Sequence, residues 1–435
     1  RTFSSAASDV YKRQLQHECG IALLRLKKPL QYYIDTYRTA FYGLNKMYLL
    51  MEKQRNRGQD GVGLANVKLD VPPGNRYLSR SRSTAKQPIE DLFSQVMGRF
   101  ADTRKHNPER LKDADWLQKN HAFTGEVFLG HLRYGTYGRN TIERVHPFLR
   151  QNNWRSRTLA LAGNFNLTNV DELFDILVDL GQHPKEKADT VTVLEKVGHF
   201  LDEEVEKAFR QFKNAGHENA EISGLIADQL DVANVLRRAS INWDGGYVMG
   251  GIIGSGDAFI ARDPNGIRPC FWYEDEEVIV AASERPVIQT AFNAVTTNVK
   301  ELQPGEALII NRNGESQIAE VREPGERTPC SFERIYFSRG NDADIYRERV
   351  ALGESLVPRV LEAIEHDLDS TVFSFIPNTA ETSYYGLVRG MESHLSQSKI
   401  QRILGLGANP DADEVRAILE ERPCLLYTSD AADEK

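Results

Sequence analysis

The chain has 435 residues, with 54 Lys and Arg against 62 Asp and Glu and a formal net charge of −8. At roughly 150 residues per domain this length predicts two or three domains, and the mild acidity argues against a broad nucleic-acid surface, which needs clustered positive charge. Hydrophobic residues make up 40% of the chain, enough for packed cores and too many for a disordered protein.

No run approaches the ~18 apolar residues of a membrane span, and residues 1–30 hold no signal-peptide core. The cysteines at 19, 270, 330 and 424 are too few and too scattered for a disulfide framework. The expectation is a soluble, cytoplasmic, multidomain protein with neither a membrane nor a nucleic acid as partner. The first methionine is Met47. Residues 1–14 and 424–435 show no periodicity and read as a foreign or disordered leader and a foreign tail; frayed termini are the plainer alternative. Both are set aside from fold reasoning, and the chain is expected to stop before its natural end.

In chain order, Gly20-Ile21-Ala22-Leu23-Leu24-Arg25-Leu26 reads as a short strand. Residues 41–52 carry Tyr42, Leu44, Met47, Leu49 and Leu50 near helical spacing. The charged stretch 72–125 suggests an exposed insertion. Strands are predicted at 127–132 and 158–162, each running into a glycine-containing loop. Residues 189–238, rich in Glu, Lys, Leu and Ala, predict two or more helices. Short β runs follow at 247–253, 258–261, 277–282 and 307–310, punctuated by Asp263-Pro264-Asn265-Gly266 and Pro304-Gly305. The polar stretch 322–327 reads as a linker. Beyond it, residues 332–337, a helix over 346–364 and a strand over 371–376 suggest an α/β second domain.

Cys19, at the mouth of the first strand, is by itself most simply a small buried hydrophobe. Three loops further along keep it company: Arg57-Gly58-Gln59-Asp60-Gly61-Val62-Gly63, Gly130-His131-Leu132-Arg133-Tyr134-Gly135-Thr136, and Gly163-Asn164-Phe165-Asn166-Leu167-Thr168-Asn169. Each is a weak signal alone; their order after Cys-Gly-Ile is specific. With them the sequence resembles the class II glutamine amidotransferases, whose glutaminase domain uses an N-terminal cysteine. Within that group it is most similar to the amidophosphoribosyltransferases, through Arg262-Asp263-Pro264-Asn265-Gly266-Ile267-Arg268-Pro269, Pro304-Gly305-Glu306 and Phe332-Glu333-Arg334-Ile335-Tyr336-Phe337-Ser338-Arg339. The likeness covers nearly all of 15–423.

The resemblance implies a fold and a set of roles. The fold is α+β: a four-layer αββα N-terminal-nucleophile hydrolase sandwich over 15–328, then the first part of an α/β phosphoribosyltransferase domain over 329–423. Cys19 would be the catalytic nucleophile and its own freed α-amino group the base, since a thiol of ordinary pKa is mostly protonated at neutral pH. Asn164 would give a side-chain donor to the oxyanion. The next position, normally a glycine that gives its backbone N–H, is Phe165, which keeps the donor without glycine's freedom at positive φ; losing such a donor costs ~10²–10³ in rate. Arg133 would grip the glutamine α-carboxylate through its planar fork and Asp189 the α-ammonium, with Thr136 and Arg57 in support. A surface ion pair for Arg133 and a helix N-cap for Asp189 are the plainer alternatives.

His17 with Cys19 as metal ligands, and His131 as a papain-like base, are weaker readings. Cys330 lies where one ligand of a family iron–sulfur cluster would be, but a cluster takes four thiolates, so the sequence does not support one. Two departures stand out. Residues precede the nucleophile, so a leader must be removed. The acidic phosphoribosyl-pyrophosphate loop is not found in 329–423, where Asn378-Thr379-Ala380 matches only an earlier loop. The implied activity is glutamine-dependent amination of phosphoribosyl pyrophosphate in purine synthesis, with glutamine and phosphoribosyl pyrophosphate as ligands, Mg2+ serving the latter in the full-length enzyme, and a homo-oligomeric assembly. The alternative is a degenerate glutaminase-fold module for binding or assembly.

Overall fold

The structure, a computed structural model, describes residues 19–135, 141–184, 186–368, 370–376 and 379–422, with the backbone of 424–425. The chain divides into two compact units, Arg1–Glu333 and Arg334–Lys435.

Among the described residues, the first unit is built on thirteen strands. They are β1 (Gly20–Leu26), β2 (Gly61–Val67), β3 (Leu78–Ser83), β4 (Val127–Arg133), β5 (Phe148–Arg150), β6 (Leu159–Leu167), β7 (Gly245–Ile253), β8 (Ala258–Arg262), β9 (Phe271–Glu274), β10 (Val278–Ala282), β11 (Lys300–Glu301), β12 (Glu306–Ile310) and β13 (Ser316–Glu320). They form two sheets, ordered β11-β9-β10-β1-β4-β2-β3 and β13-β12-β8-β7-β6-β5. Every pairing in both sheets is antiparallel.

Side-chain alternation along the strands explains the layers. In β1, Ile21 and Leu23 point into a core shared with Ala160, Ala162, Val248 and Ile260 of the other sheet. Ala22, Leu24 and Leu26 point the opposite way, into a core closed by helices such as Tyr42–Lys53 and Pro88–Gly98. In β6, Leu159, Leu161, Phe165 and Leu167 pack outward against Asp189–Asn214 and its neighbouring helices. The central strands are therefore buried on both faces, which is why Ile21-Ala22-Leu23-Leu24 of β1 reads as a continuous apolar run rather than an alternating one, with Arg25 buried beyond it.

Several expectations are corrected. The charged stretch 72–125 is not an exposed insertion. It contributes β3 and the helices Pro88–Gly98 and Ala114–Asn120, which bury Ile89, Leu92, Val96 and Leu117 under the first sheet. The strand expected at 158–162 runs on through Leu167, because β7 pairs with it residue for residue as far as Gly245. The stretch 322–327 is tied down instead of hanging as a linker. Gly325 N–H donates to Pro264 O at 2.8 Å, Thr328 N–H to Asn265 O at 2.9 Å, and Cys330 N–H to Ile267 O at 3.1 Å.

In the second unit, Asp342 caps the helix Ala343–Ala363, accepting from the N–H groups of Asp344 and Ile345. That helix packs on Glu381–Gly405, where a Cβ at Gly353 would lie 1.8 Å from Ser383 O. Val357, Leu361, Phe373, Tyr384, Val388 and Met391 form its core. The strand expected over 371–376 is only Val372–Phe373, paired in parallel with Cys424–Leu425. Asn378 lies outside the described residues.

Candidate active site

Cys19 is buried immediately before β1. The register that pairs Gly20 with Leu132 carries Cys19 alongside Arg133, at the end of β4. Alternation puts both on the face of Ile21 and Leu129, looking toward the second sheet. Across the layer, Asn164 of β6 shares the inward face of Ala160 and Ala162 and is 2% exposed. The sequence thus brings a thiol, an arginine and an amide to one end of the space between the sheets.

Phe165 has its ring in the outer helix-packed core, 3% exposed. Its backbone is extended and not among the positive-φ residues, so the conformation does not require glycine. The ladder also sets the direction of its N–H. Thr168 N–H donates to Asp244 O and Gly254 N–H to Thr158 O, so the narrow pairs of β6 with β7 fall at even positions of β6. The N–H groups of Gly163 and Phe165 therefore point away from β7. Gly163 makes this visible by donating to His146 Nδ1 at 3.3 Å.

Arg57 is fully buried, and Gly58 brings its loop against β4, where a Cβ would lie 2.6 Å from the carbonyl carbons of Leu132 and Arg133. Its Nε lies 2.7 Å from Glu284 Oε1 and its Nη1 2.8 Å from Glu333 Oε2. Glu333 Oε1 in turn is 3.5 Å from Arg268 Nη1 and 3.5 Å from Asn164 Nδ2. Two arginines and two glutamates thus neutralise one another beside the amide. The sequence pattern gives Arg57 a supporting place but no role to its partners Glu284 and Glu333 or to Arg268 on the other oxygen of Glu333, although Glu333 and Arg268 sit inside the discriminating segments.

Those segments have a physical rationale. Arg262, 2% exposed, donates from Nε to Arg268 O at 2.7 Å and from Nη2 to Gly266 O at 3.0 Å. Asp263 accepts from the N–H groups of Asn265, Ile267 and Arg268. The turn is fixed so that Arg268 meets Glu333, which the strap over 325–330 delivers.

Asp189 opens the helix Asp189–Asn214 as its first helical residue; Ala188 holds the cap position. Its Oδ1 accepts from Thr190 N–H at 2.6 Å and from Thr190 Oγ1 at 3.2 Å. Thr136 lies outside the described residues. His131 is fully buried, 3.1 Å from Gly163 O through Nε2 and stacked on His146 with ring centroids 4.2 Å apart. Burial, reinforced by the charge of Arg133, pushes its pKa down to about 3, against the hydrogen bond to Gly163. A neutral imidazole that spends Nε2–H on a carbonyl is a strut. Cys330 is half-buried, and among the described residues no group of three or more His, Cys, Asp or Glu is placed to hold a metal ion. Among the described residues Cys330 therefore has no ligand set for an iron–sulfur cluster.

Fold and site together define an α+β protein of two face-to-face antiparallel sheets with a buried thiol at the head of a central strand. No protein-family model matches the chain. Its curated homologues are amidophosphoribosyltransferases. It is similar to that of Methanothermobacter thermautotrophicus, 24% identical over 350 residues, which cover 79% of this chain and 59% of the relative. It is also similar to that of Bacillus subtilis, 30% identical over 273 residues, covering 60% of this chain and 48% of the relative. Among solved structures, the glutamine phosphoribosylpyrophosphate amidotransferase from B. subtilis complexed with ADP and GMP shares its fold, with a TM-score of 0.56 at 22% identity over 86% of this chain and 64% of that one. The chain spans somewhat under three-fifths of the length of the first curated relatives. Among the described residues no helix is long and apolar enough to cross a membrane.

Proposed function

We propose that the first unit is an N-terminal-nucleophile glutaminase, and that it serves an amidophosphoribosyltransferase whose acceptor is phosphoribosyl pyrophosphate. In this reading the residues before Cys19 are removed and the freed α-amine takes the thiol proton. The sulfur attacks the glutamine side-chain carbonyl, and the amide nitrogen leaves as ammonia with that proton. Water then hydrolyses the thioester to glutamate. Asn164 Nδ2 and the Phe165 N–H meet the oxyanion, Arg133 takes the α-carboxylate, and Asp189 takes the α-ammonium. Arg57 acts at one remove by holding Glu333. Ammonia passed to phosphoribosyl pyrophosphate would give phosphoribosylamine and pyrophosphate at a phosphoribosyltransferase site that begins in the second unit and binds Mg2+ with its substrate.

The observation that carries this reading is the convergence of Cys19 and Arg133 from one sheet with Asn164 from the other. Its test is intact mass and peptide mapping after treatment with an electrophilic glutamine analogue. The expected product is a chain beginning at Cys19 with a single label there, suppressed by excess glutamine and absent in Cys19→Ser.

One observation favours the second reading, a degenerate module that binds glutamine or serves in assembly. The amide that should greet an oxyanion faces the carboxylate of Glu333. A chain that keeps its leader and takes no label would make that reading the better one.

A further inference from the structure

Asp189 uses its two carboxylate oxygens unequally. Both of its hydrogen bonds, from Thr190 N–H and Thr190 Oγ1, go to Oδ1; Oδ2 receives none among the described residues. A carboxylate at the first helical position sits in the positive end of the helix dipole. That end repels a cationic ligand unless the carboxylate is held with an oxygen turned to meet it.

The holding chain can be followed proton by proton. Gly163 N–H can only donate, so His146 Nδ1 must accept, and the ring is neutral with its proton on Nε2. His146 Nε2 lies 3.1 Å from Thr190 Oγ1 and donates to it. The threonine hydroxyl proton is thereby directed to Asp189 Oδ1, 3.2 Å away. Gly163 is itself fixed from the other side by His131 on its carbonyl oxygen. His146 can come this close because Gly63 of β2 has no side chain: a Cβ there would lie 1.9 Å from His146 O.

Resting on the glutaminase reading, we propose that His146 and Thr190 are positioning residues for substrate selection. They lock the Asp189 carboxylate through Oδ1 so that Oδ2 is presented to the α-ammonium of free glutamine, and they tie that carboxylate to the residue preceding the oxyanion donor Asn164. Neither touches the substrate. Their effect is on the preference for an amino acid over the same molecule without its amine.

The test titrates glutamine and its des-amino counterpart, glutaramate, into the full chain by calorimetry, with thermal melts to check folding. The unsubstituted chain should prefer glutamine. Thr190→Val, isosteric but without the hydroxyl, should lose about tenfold or more of that preference, as expected for a hydrogen bond to a charged group, and Thr190→Ser should restore it. If Thr190→Val does not fold, a second pair carries the test. His146→Gln puts an amide N–H where Nε2 stands and should keep most of the preference. His146→Asn can accept from Gly163 but cannot reach Thr190, and should lose it. Folded Thr190→Val or His146→Asn with undiminished preference overturns the relay and leaves the labelling of Cys19 untouched. An unsubstituted chain that neither binds glutamine nor labels at Cys19 overturns the glutaminase reading, and the relay with it.

Discussion

Asn164 Nδ2 stands 3.5 Å from Glu333 Oε1, at the outer limit of a hydrogen bond, while the other oxygen of the same carboxylate is 2.8 Å from Arg57 Nη1. Glu333 is therefore held mainly by arginine. Both residues are almost fully buried, so the carboxylate is there to balance the arginines. Removing one member of a buried charge cluster leaves its partner uncompensated, at a cost of about 3–5 kcal/mol. Glu333→Gln should lower the urea midpoint of the first unit's transition accordingly, at an unchanged m-value. An unshifted midpoint would show that the cluster is solvated and that Glu333 does not bear on the fold.

On the proposed glutaminase reading, Phe165 invites the opposite intuition, that a glycine in its place would speed the labelling of Cys19. The structure argues otherwise. The backbone there is extended strand and its N–H already points away from β7, while the ring fills the core beneath the helix Asp189–Asn214. Phe165→Gly should cost at least the ~3–5 kcal/mol of a Phe→Ala truncation, with no gain in the rate of Cys19 labelling. A faster-labelling Phe165→Gly of wild-type stability would mean that the ring obstructs the oxyanion donor.

His131 gives the site a pH signature. Its folded pKa of about 3 lies below the unfolded value of about 6.5, so between these values the unfolded chain binds the extra proton. Its contribution to stability is complete above about pH 6.5 and is lost as the pH falls toward 3, with an upper bound of roughly 5 kcal/mol. His131→Gln, which keeps a donor for Gly163 O, should flatten that loss. Denaturant titrations of both proteins at pH 7, 5.5 and 4.5 measure the difference, and parallel slopes would refute the assignment.

Much of this was legible in the sequence because it is local. The run Gly20–Leu26, the helical stripe after Phe41 and the turn at Asp263–Gly266 declare themselves by spacing. Cys19, Arg133 and Asn164 stand out only through the order of their loops, and Asp189 only through the family resemblance. Glu333 and Arg268 carry no role in the sequence by themselves, since their pairing depends on a burial created by a strap 276 residues from Arg57 along the chain. His146 gave no signal, because its partners Gly163 and Thr190 are joined to it only by the closing of the second sheet. The stretch 72–125 misled because its charges lie outward while Ile89, Leu92 and Val96 face the sheet at helical spacing.

Arg133 allows the head-group assignment to be separated from mere proximity to the thiol. It is 9% exposed at the end of β4, on the face of Cys19. A guanidinium meets a carboxylate with two parallel bonds, whereas an ammonium on a flexible stem offers a single point charge. Arg133→Lys should therefore weaken glutamine binding by roughly 10- to 100-fold, the equivalent of a charged hydrogen bond at about 1.5–3 kcal/mol. It should also leave intact the labelling of Cys19 by an electrophile that lacks an amino-acid head group. Calorimetry with glutamine and mass spectrometry with a simple haloacetamide report the two quantities separately. If both fall together, Arg133 acts on the thiol itself; if binding alone falls, the fork recognises the carboxylate. Asp189→Asn supplies the matching half, since it should abolish the preference for glutamine over glutaramate while Arg133→Lys weakens both ligands alike.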